Sequence, residues 1–128
     1  MATAVTNGIY VRAMPSYEPE LSDPAAGRFV FKYVIIIRNL GSVPVKLMRR
    51  RWVIKDSLAA PRVVEGPGVV GETPEIQPRG HYVYNSRCDL RSGAGCMEGS
   101  YQMLRLHDGQ TFTVRIPRFD LLYPWAAN

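Results

Sequence analysis

Residues 29 to 37 read Phe-Val-Phe-Lys-Tyr-Val-Ile-Ile-Ile, nine positions rich in aromatic and β-branched side chains and free of Gly and Pro. Such residues suit a pleated, half-buried surface, so the stretch is a strand. The odd positions Phe29, Phe31, Tyr33, Ile35 and Ile37 are all apolar, whereas the even set contains Lys32 and leads to Arg38. The odd face therefore meets a core. Asn39-Leu40-Gly41-Ser42-Val43-Pro44 then supplies turn chemistry, since Asn and Gly tolerate positive φ and Pro44 has no amide to give to a ladder. Val45 to Lys55 returns as a second strand, and Arg28 to Asp56 becomes half of a sheet.

The remaining segments follow the same grammar. Gly8 to Met14 alternates as a first strand, and Pro15 to Gly27 is a polar, Pro-containing connection. Leu58 to Pro61 reads as a turn, Arg62 to Glu65 as a short strand, Gly66 to Glu72 as a loop and Thr73 to Gly80 as a corner around two prolines. His81 to Ser86 is a strand, Arg91 to Gly95 a loop, and Met97 to His107 another strand. Asp108-Gly109 is a hairpin signal before Gln110 to Ile116, where Phe112, Val114 and Ile116 alternate with Thr111, Thr113 and Arg115. Apolar residues nowhere recur at helical spacing over three turns. Seven to eight short strands separated by turns predict an all-β chain folded as a two-sheet antiparallel β-sandwich.

With 128 residues, 46% of them hydrophobic and 21% charged, the chain reads as one globular domain over 1–128 that needs no disulfide or metal to hold its core. Its first residues lack a basic segment followed by an apolar run, and no window nears the ~20 apolar residues that span a bilayer. The expectation is a cytoplasmic protein without membrane insertion, in which Cys88 and Cys96 are free thiols. A net charge of +5 gives a weak pull on anionic partners and predicts no specific nucleic acid.

Four motifs invite chemistry. Gly66-Pro67-Gly68-Val69-Val70-Gly71 satisfies G-x-G-x-x-G, the pattern whose glycines cradle a pyrophosphate where a strand meets a helix. Here no helix follows, Pro67 removes a donor, and Glu72 puts negative charge where phosphate would sit. Gly66, Gly68 and Gly71 are read first as loop glycines and second as a phosphate nest for a nucleotide. Arg49, Arg50 and Arg51 precede Trp52; strand alternation puts Arg49 and Arg51 on one face and Arg50 with Trp52, whose ring belongs to the core. Arg49 and Arg51 become candidates for an interaction surface. So do Arg118, Tyr123 and Trp125 near the C-terminus, where aromatics beside an Arg resemble an interface centre. Finally, His81, His107, Cys88 and Cys96 match no metal spacing, and no catalytic elbow or flagged carboxylate pair is present. The reading assigns no metal, no cofactor and no catalytic residue.

A resemblance spans nearly the whole chain. It is carried by Arg38-Asn39-Leu40-Gly41-Ser42-Val43-Pro44-Val45, Arg51-Trp52-Val53-Ile54-Lys55-Asp56, Gly66-x-Gly68-Val69-Val70-Gly71-Glu72-x-Pro74, Tyr84-x-Ser86-x-Cys88-x-Leu90, Gly95-x-Met97-x-Gly99-Ser100-Tyr101-Gln102-Met103 and Val114-x-Ile116-Pro117-x-Phe119-x-Leu121. This series resembles the bacterial ApaG family, also called CorD. The resemblance implies a fibronectin type III or immunoglobulin-like sandwich, an association with cobalt and magnesium handling and with genes for diadenosine tetraphosphate breakdown, and kinship to domains of some eukaryotic F-box proteins and of a DNA-polymerase-interacting protein. It brings no catalytic residues. The chain departs from the pattern at Pro78-Arg79-Gly80 and at the extra thiol Cys96. Together these observations predict a non-enzymatic module that binds a protein partner. The alternative is a nucleotide or polyphosphate binder using Gly66 to Gly71, and a Gly68→Asp substitution is expected to separate the two.

Overall fold

The computed structural model describes residues 2–125 as nine strands and two single 3-10 turns, Pro19–Leu21 and Pro24–Ala26. The strands are β1 (Ala2–Thr6), β2 (Ile9–Tyr17), β3 (Phe29–Asn39), β4 (Val45–Asp56), β5 (Ala59–Pro67), β6 (Glu75–Ile76), β7 (His81–Leu90), β8 (Ala94–Arg105) and β9 (Thr111–Leu122). All pair antiparallel, in one sheet of order β1-β2-β3-β7 and a second of order β5-β4-β8-β9 with β6 also on β4. The expected sandwich is the observed one. Its seven long strands are joined by two short ones, β1 and β6.

β1 escapes the sequence reading although its signal is present. Asn7 and Gly8 both have positive φ, 48° and 78°, and join β1 to β2 as the two-residue reversal that an Asn-Gly pair favours. β5 is longer than Arg62 to Glu65 because pairing along β4 carries its ladder from Ala59 to Pro67. Its residues are nearly all exposed, so no alternation marked its extent. β6 lies inside the expected corner and puts Ile76 into the core.

The two inner faces share one core. Phe31, Tyr33, Ile35 and Ile37 of β3 face Trp52 and Ile54 of β4, Tyr101 and Met103 of β8, and Val114, Ile116, Phe119 and Leu121 of β9. Tyr33, Trp52 and Phe119 pack mutually, with ring centroids 5.3 to 5.9 Å apart, and Trp52 stands edge-on to both neighbours. At one end Asn39 is buried, donating to the carbonyls of Val43 at 2.8 Å and Ile76 at 3.0 Å while its Oδ1 accepts from the Gly41 amide at 3.0 Å. That side chain ties the β3–β4 turn to β6.

Two bulges correct the phase of long strands. In β4 the buried residues are Val45 and Leu47, then Trp52 and Ile54, a change from odd to even. The ladder to β8 slips between Leu47 and Arg49, leaving Met48 as the extra residue. In β9 the change runs from Val114 and Ile116 to Phe119 and Leu121, across Pro117. Pro117 has no amide to contribute, which suits it to the bulge and lets the strand continue beyond Ile116.

The flanks of the sandwich differ. β9 packs against β1 and β2, with the Arg115 amide donating to Thr6 Oγ1 at 3.2 Å, and this closes one side. On the other side the outermost strands are β7 and β5, and a groove runs between them.

Candidate interaction site

Gly66 and Pro67 end β5, and Gly68 to Glu72 form a tight loop at the mouth of this groove. Val69 and Glu72 exchange amide hydrogen bonds of 2.8 and 2.9 Å around Val70 and Gly71, whose φ values are 43° and 80°. This is a two-residue reversal requiring positive φ at both central positions. Gly71 meets that demand freely. Val70 does not: a β-branched residue in the left-handed region is a genuine outlier, yet its side chain stands 55% exposed at the tip.

Three further contacts hold the loop. The Gly68 amide donates to the Met48 carbonyl at 2.8 Å, so the β4 bulge supplies the acceptor. Arg50 Nη1 donates to the carbonyls of Pro67 and Gly68 at 3.0 and 3.1 Å. Tyr82 Oη donates to Glu72 Oε2 at 2.7 Å; burial, this bond and the carboxylate charge push the phenol up to about 12. At Gly68, with φ +58°, a Cβ would fall 2.0 Å from the Glu72 carbonyl oxygen. Gly68→Asp thus disrupts the loop whatever the loop binds, and it does not separate the two functional readings. The amides of Gly68, Val69 and Glu72 are engaged within the protein and Glu72 stands beside them, an arrangement that favours a structural role for the glycines over an anion cradle.

Arg50 also lines the groove behind the hairpin. One part, of about 180 Å³, is bounded by Tyr33, Arg50, Trp52, Val70, Tyr84 and Ser86. A second, of about 310 Å³, shares Tyr33, Arg50, Trp52 and Ser86 and continues to Arg62, Cys88 and Met97. Beneath it the Tyr84 and Tyr101 hydroxyls hydrogen-bond to each other. Burial raises the pKa of both and of Tyr33, while the Arg50 charge acts in the opposite sense on all three. Farther along, Arg62 Nη2 lies 3.4 Å from Cys88 Sγ and also donates to the Asp89 carbonyl, linking β5 to β7. Burial pushes the Cys88 thiol up, and Arg62 partly offsets it. Cys88 and Cys96 are both buried and unbridged.

The other candidate residues lie elsewhere. Arg49 and Arg51 point from the outer face of the second sheet, bordering a shallow depression of about 260 Å³ with Ser100, Gln102 and Thr113. Arg51 pairs with Glu65 at 3.1 Å. Arg118 is exposed on β9 and lies 3.8 Å from Asp120. Tyr123 and Trp125 join Tyr17 in an edge-to-face aromatic cluster with centroids 5.0 to 6.0 Å apart, and Trp125 remains 59% exposed. Tyr123 lies just past the end of β9, nearly the whole strand away from Thr113, on the order of 25–30 Å at the usual rise per residue. The basic and aromatic candidates therefore do not form one patch. Phe119 and Leu121 finish the core.

Asp56, which no candidate site included, proves to be a strong local anchor. It accepts from the Arg91 amide at 2.6 Å, Ser92 Oγ at 2.7 Å and the Leu58 amide at 3.1 Å. Burial pushes its carboxyl up, but these hydrogen bonds prevail and hold it below the ordinary value. Among the described residues no three His, Cys, Asp or Glu side chains are placed to hold a metal ion, and no helix is long and apolar enough to cross a membrane.

Comparison with known proteins agrees with this architecture. The family model for the ApaG domain matches residues 19–105. Protein ApaG of Anaeromyxobacter dehalogenans (strain 2CP-1 / ATCC BAA-258) is 44% identical over 128 residues, covering all of both chains. Protein ApaG of Caulobacter vibrioides is 44% identical over 124 residues, 97% of this chain and 88% of that one. The crystal structure of the ApaA protein from Bordetella pertussis superposes with a TM-score of 0.87 at 37% identity, covering 91% of this chain and 94% of that one. Over its full length, in sequence and in fold, this chain belongs to the ApaG family.

Proposed function

We propose that this protein is a non-catalytic interaction module whose contact region is the Val69 to Gly71 hairpin and the open β5–β7 flank beside it. The observation carrying this reading is Val70. A left-handed, non-glycine residue is maintained against roughly 1–3 kcal/mol of strain only where the surroundings enforce it, and such residues concentrate at functional contacts. Here the enforced residue is apolar and exposed at the rim of a groove. Exposed Val64 on β5 extends the apolar surface along the same flank.

The association with cobalt and magnesium handling that ApaG resemblance brings is read as an effect exerted through the bound partner, not through metal held by this chain. The test is chemical cross-linking in a bacterial lysate with the native protein and a Val70→Asn variant. Asn is the residue the turn prefers, so the variant is expected to be more stable and yet to recover the native protein's partner several-fold less. Equal recovery of the same partner by both proteins would overturn the proposal.

A further inference from the structure

The groove behind the hairpin has an unbalanced chemistry. Arg50 forms no ion pair among the described residues, whereas Arg51, Arg62, Arg87 and Arg118 each have a carboxylate within 4.0 Å. Its Nη1 is engaged with the two loop carbonyls, which leaves the rest of the guanidinium fork. Tyr33, Tyr84 and Ser86 line the groove with it, and Tyr33 hydrogen-bonds Ser86. Tyr84 and Tyr101 share one hydrogen bond, so one of their two phenolic protons must find an acceptor outside the pair. The site offers an excess of protons and a positive charge beside the Trp52 ring, and among the described residues Asp89 is the one carboxylate bordering the larger part of the groove. Such a site is complementary to an oxyanion.

The β7 edge beside the groove pairs with no strand among the described residues, its Asp89 carbonyl accepting from Arg62 Nη2 instead. β7 pairs with β3 along one edge, Phe29↔Leu90 to Arg38↔His81, and is the last strand of its sheet. Its other edge borders the groove, and β5 on the opposite sheet ends its own ladder there. A strand added to β7 would cover the groove as β1 and β9 cover the opposite flank, with alternate side chains directed inward. Resting on the interaction-module reading above, we infer that the partner presents an extended acidic segment, which pairs with β7 and places an Asp or Glu carboxylate on Arg50 between Tyr33 and Ser86. Charge supports this occupant, since the chain carries a net +5. An arginine fork matches a carboxylate in two parallel hydrogen bonds.

The test uses the full-length, isotope-labelled protein and two blocked hexapeptides, Val-Glu-Val-Glu-Val-Glu and its all-Gln counterpart, in a heteronuclear NMR titration. Saturable shifts are expected along His81 to Leu90 and at the Arg50 side chain with the Glu peptide, and at least tenfold weaker binding with the Gln peptide. Arg50→Gln should weaken Glu-peptide binding at least tenfold, and Arg49→Gln on the outer face should leave it unchanged. Because Arg50 also braces the hairpin, Ser86→Glu provides a second variant: it sets a carboxylate beside Arg50 from β7 itself and should exclude the peptide from a folded protein. Equal binding of both peptides, shifts centred on β1, β9 or the outer face, or undiminished binding by Ser86→Glu would overturn the inference. So would inorganic phosphate shifting the Arg50 signals where the Glu peptide does not. If Arg50→Gln and Ser86→Glu recover the lysate partner normally while Val70→Asn does not, this inference fails and the proposed function stands.

Discussion

Val70 and Asp56 lie at opposite ends of the local energy range. Val70 holds φ at 43° in a reversal where Asn would sit comfortably. Val70→Asn is expected to stabilise the fold by about 1 kcal/mol, read as a higher denaturation midpoint at unchanged slope. A midpoint lowered by the change would show that Val70 makes compensating contacts. Asp56 accepts three hydrogen bonds, and its folded pKa lies below that of the unfolded chain, near ~3.9. Its contribution is therefore complete above about pH 4 and is lost as pH falls through the folded value. Asp56→Asn should destabilise the protein at neutral pH by about 1–3 kcal/mol and flatten the acid limb of the stability profile, measured by urea unfolding between pH 2 and pH 7. Val70 lies inside the G-x-G-x-x-G match and Asp56 closes the Arg51 to Asp56 run, but neither pattern assigns the residue its role. Asp56 could be noticed only once the chain had brought Arg91 and Ser92 to it from 35 and 36 positions away.

Alternation located the faces of β3 and placed Trp52 in the core correctly, because period 2 is a local property of a strand. It also contained a warning that only register makes intelligible: Val45 and Leu47 share one parity, Trp52 and Ile54 the other. One extra residue between them is required, and Met48 is that residue. The bulge aims the Met48 carbonyl at the Gly68 amide, so an irregularity in β4 positions the hairpin. Deleting Met48 would restore a continuous ladder while removing that acceptor. The expected outcome is a folded sandwich in which the Gly68 amide exchanges with solvent markedly faster, followed by NMR. Unchanged protection of Gly68 would show that Arg50 alone suffices to hold the loop. The Asn7-Gly8 reversal was equally legible and marks β1, whereas β5, exposed along most of its length, has no pattern and exists because β4 pairs with it.

The whole molecule is an asymmetric sandwich. One flank is sealed where β9 meets β1 and β2, and the other opens between β5 and β7 onto Arg50, aromatic rings and the Val70 hairpin. Composition and turn spacing foretell the two sheets but not which flank stays open, since that depends on strand order across the whole chain. For the same reason the Arg49 and Arg51 depression and the Tyr123 and Trp125 cluster lie at separate places. An acidic partner on the open flank should bind with an affinity that falls as salt is raised through the physiological range. Salt-independent affinity would assign the contact to the apolar residues alone. The central claim, that the β5–β7 flank is the contact surface, is tested most directly by amide hydrogen exchange on the protein alone and in complex with the partner recovered from lysate. Slowed exchange is expected along His81 to Leu90 and at Val69 to Glu72, with β1 and β9 unchanged. Protection confined to β1 and β9, or to the outer face of the second sheet, would contradict it.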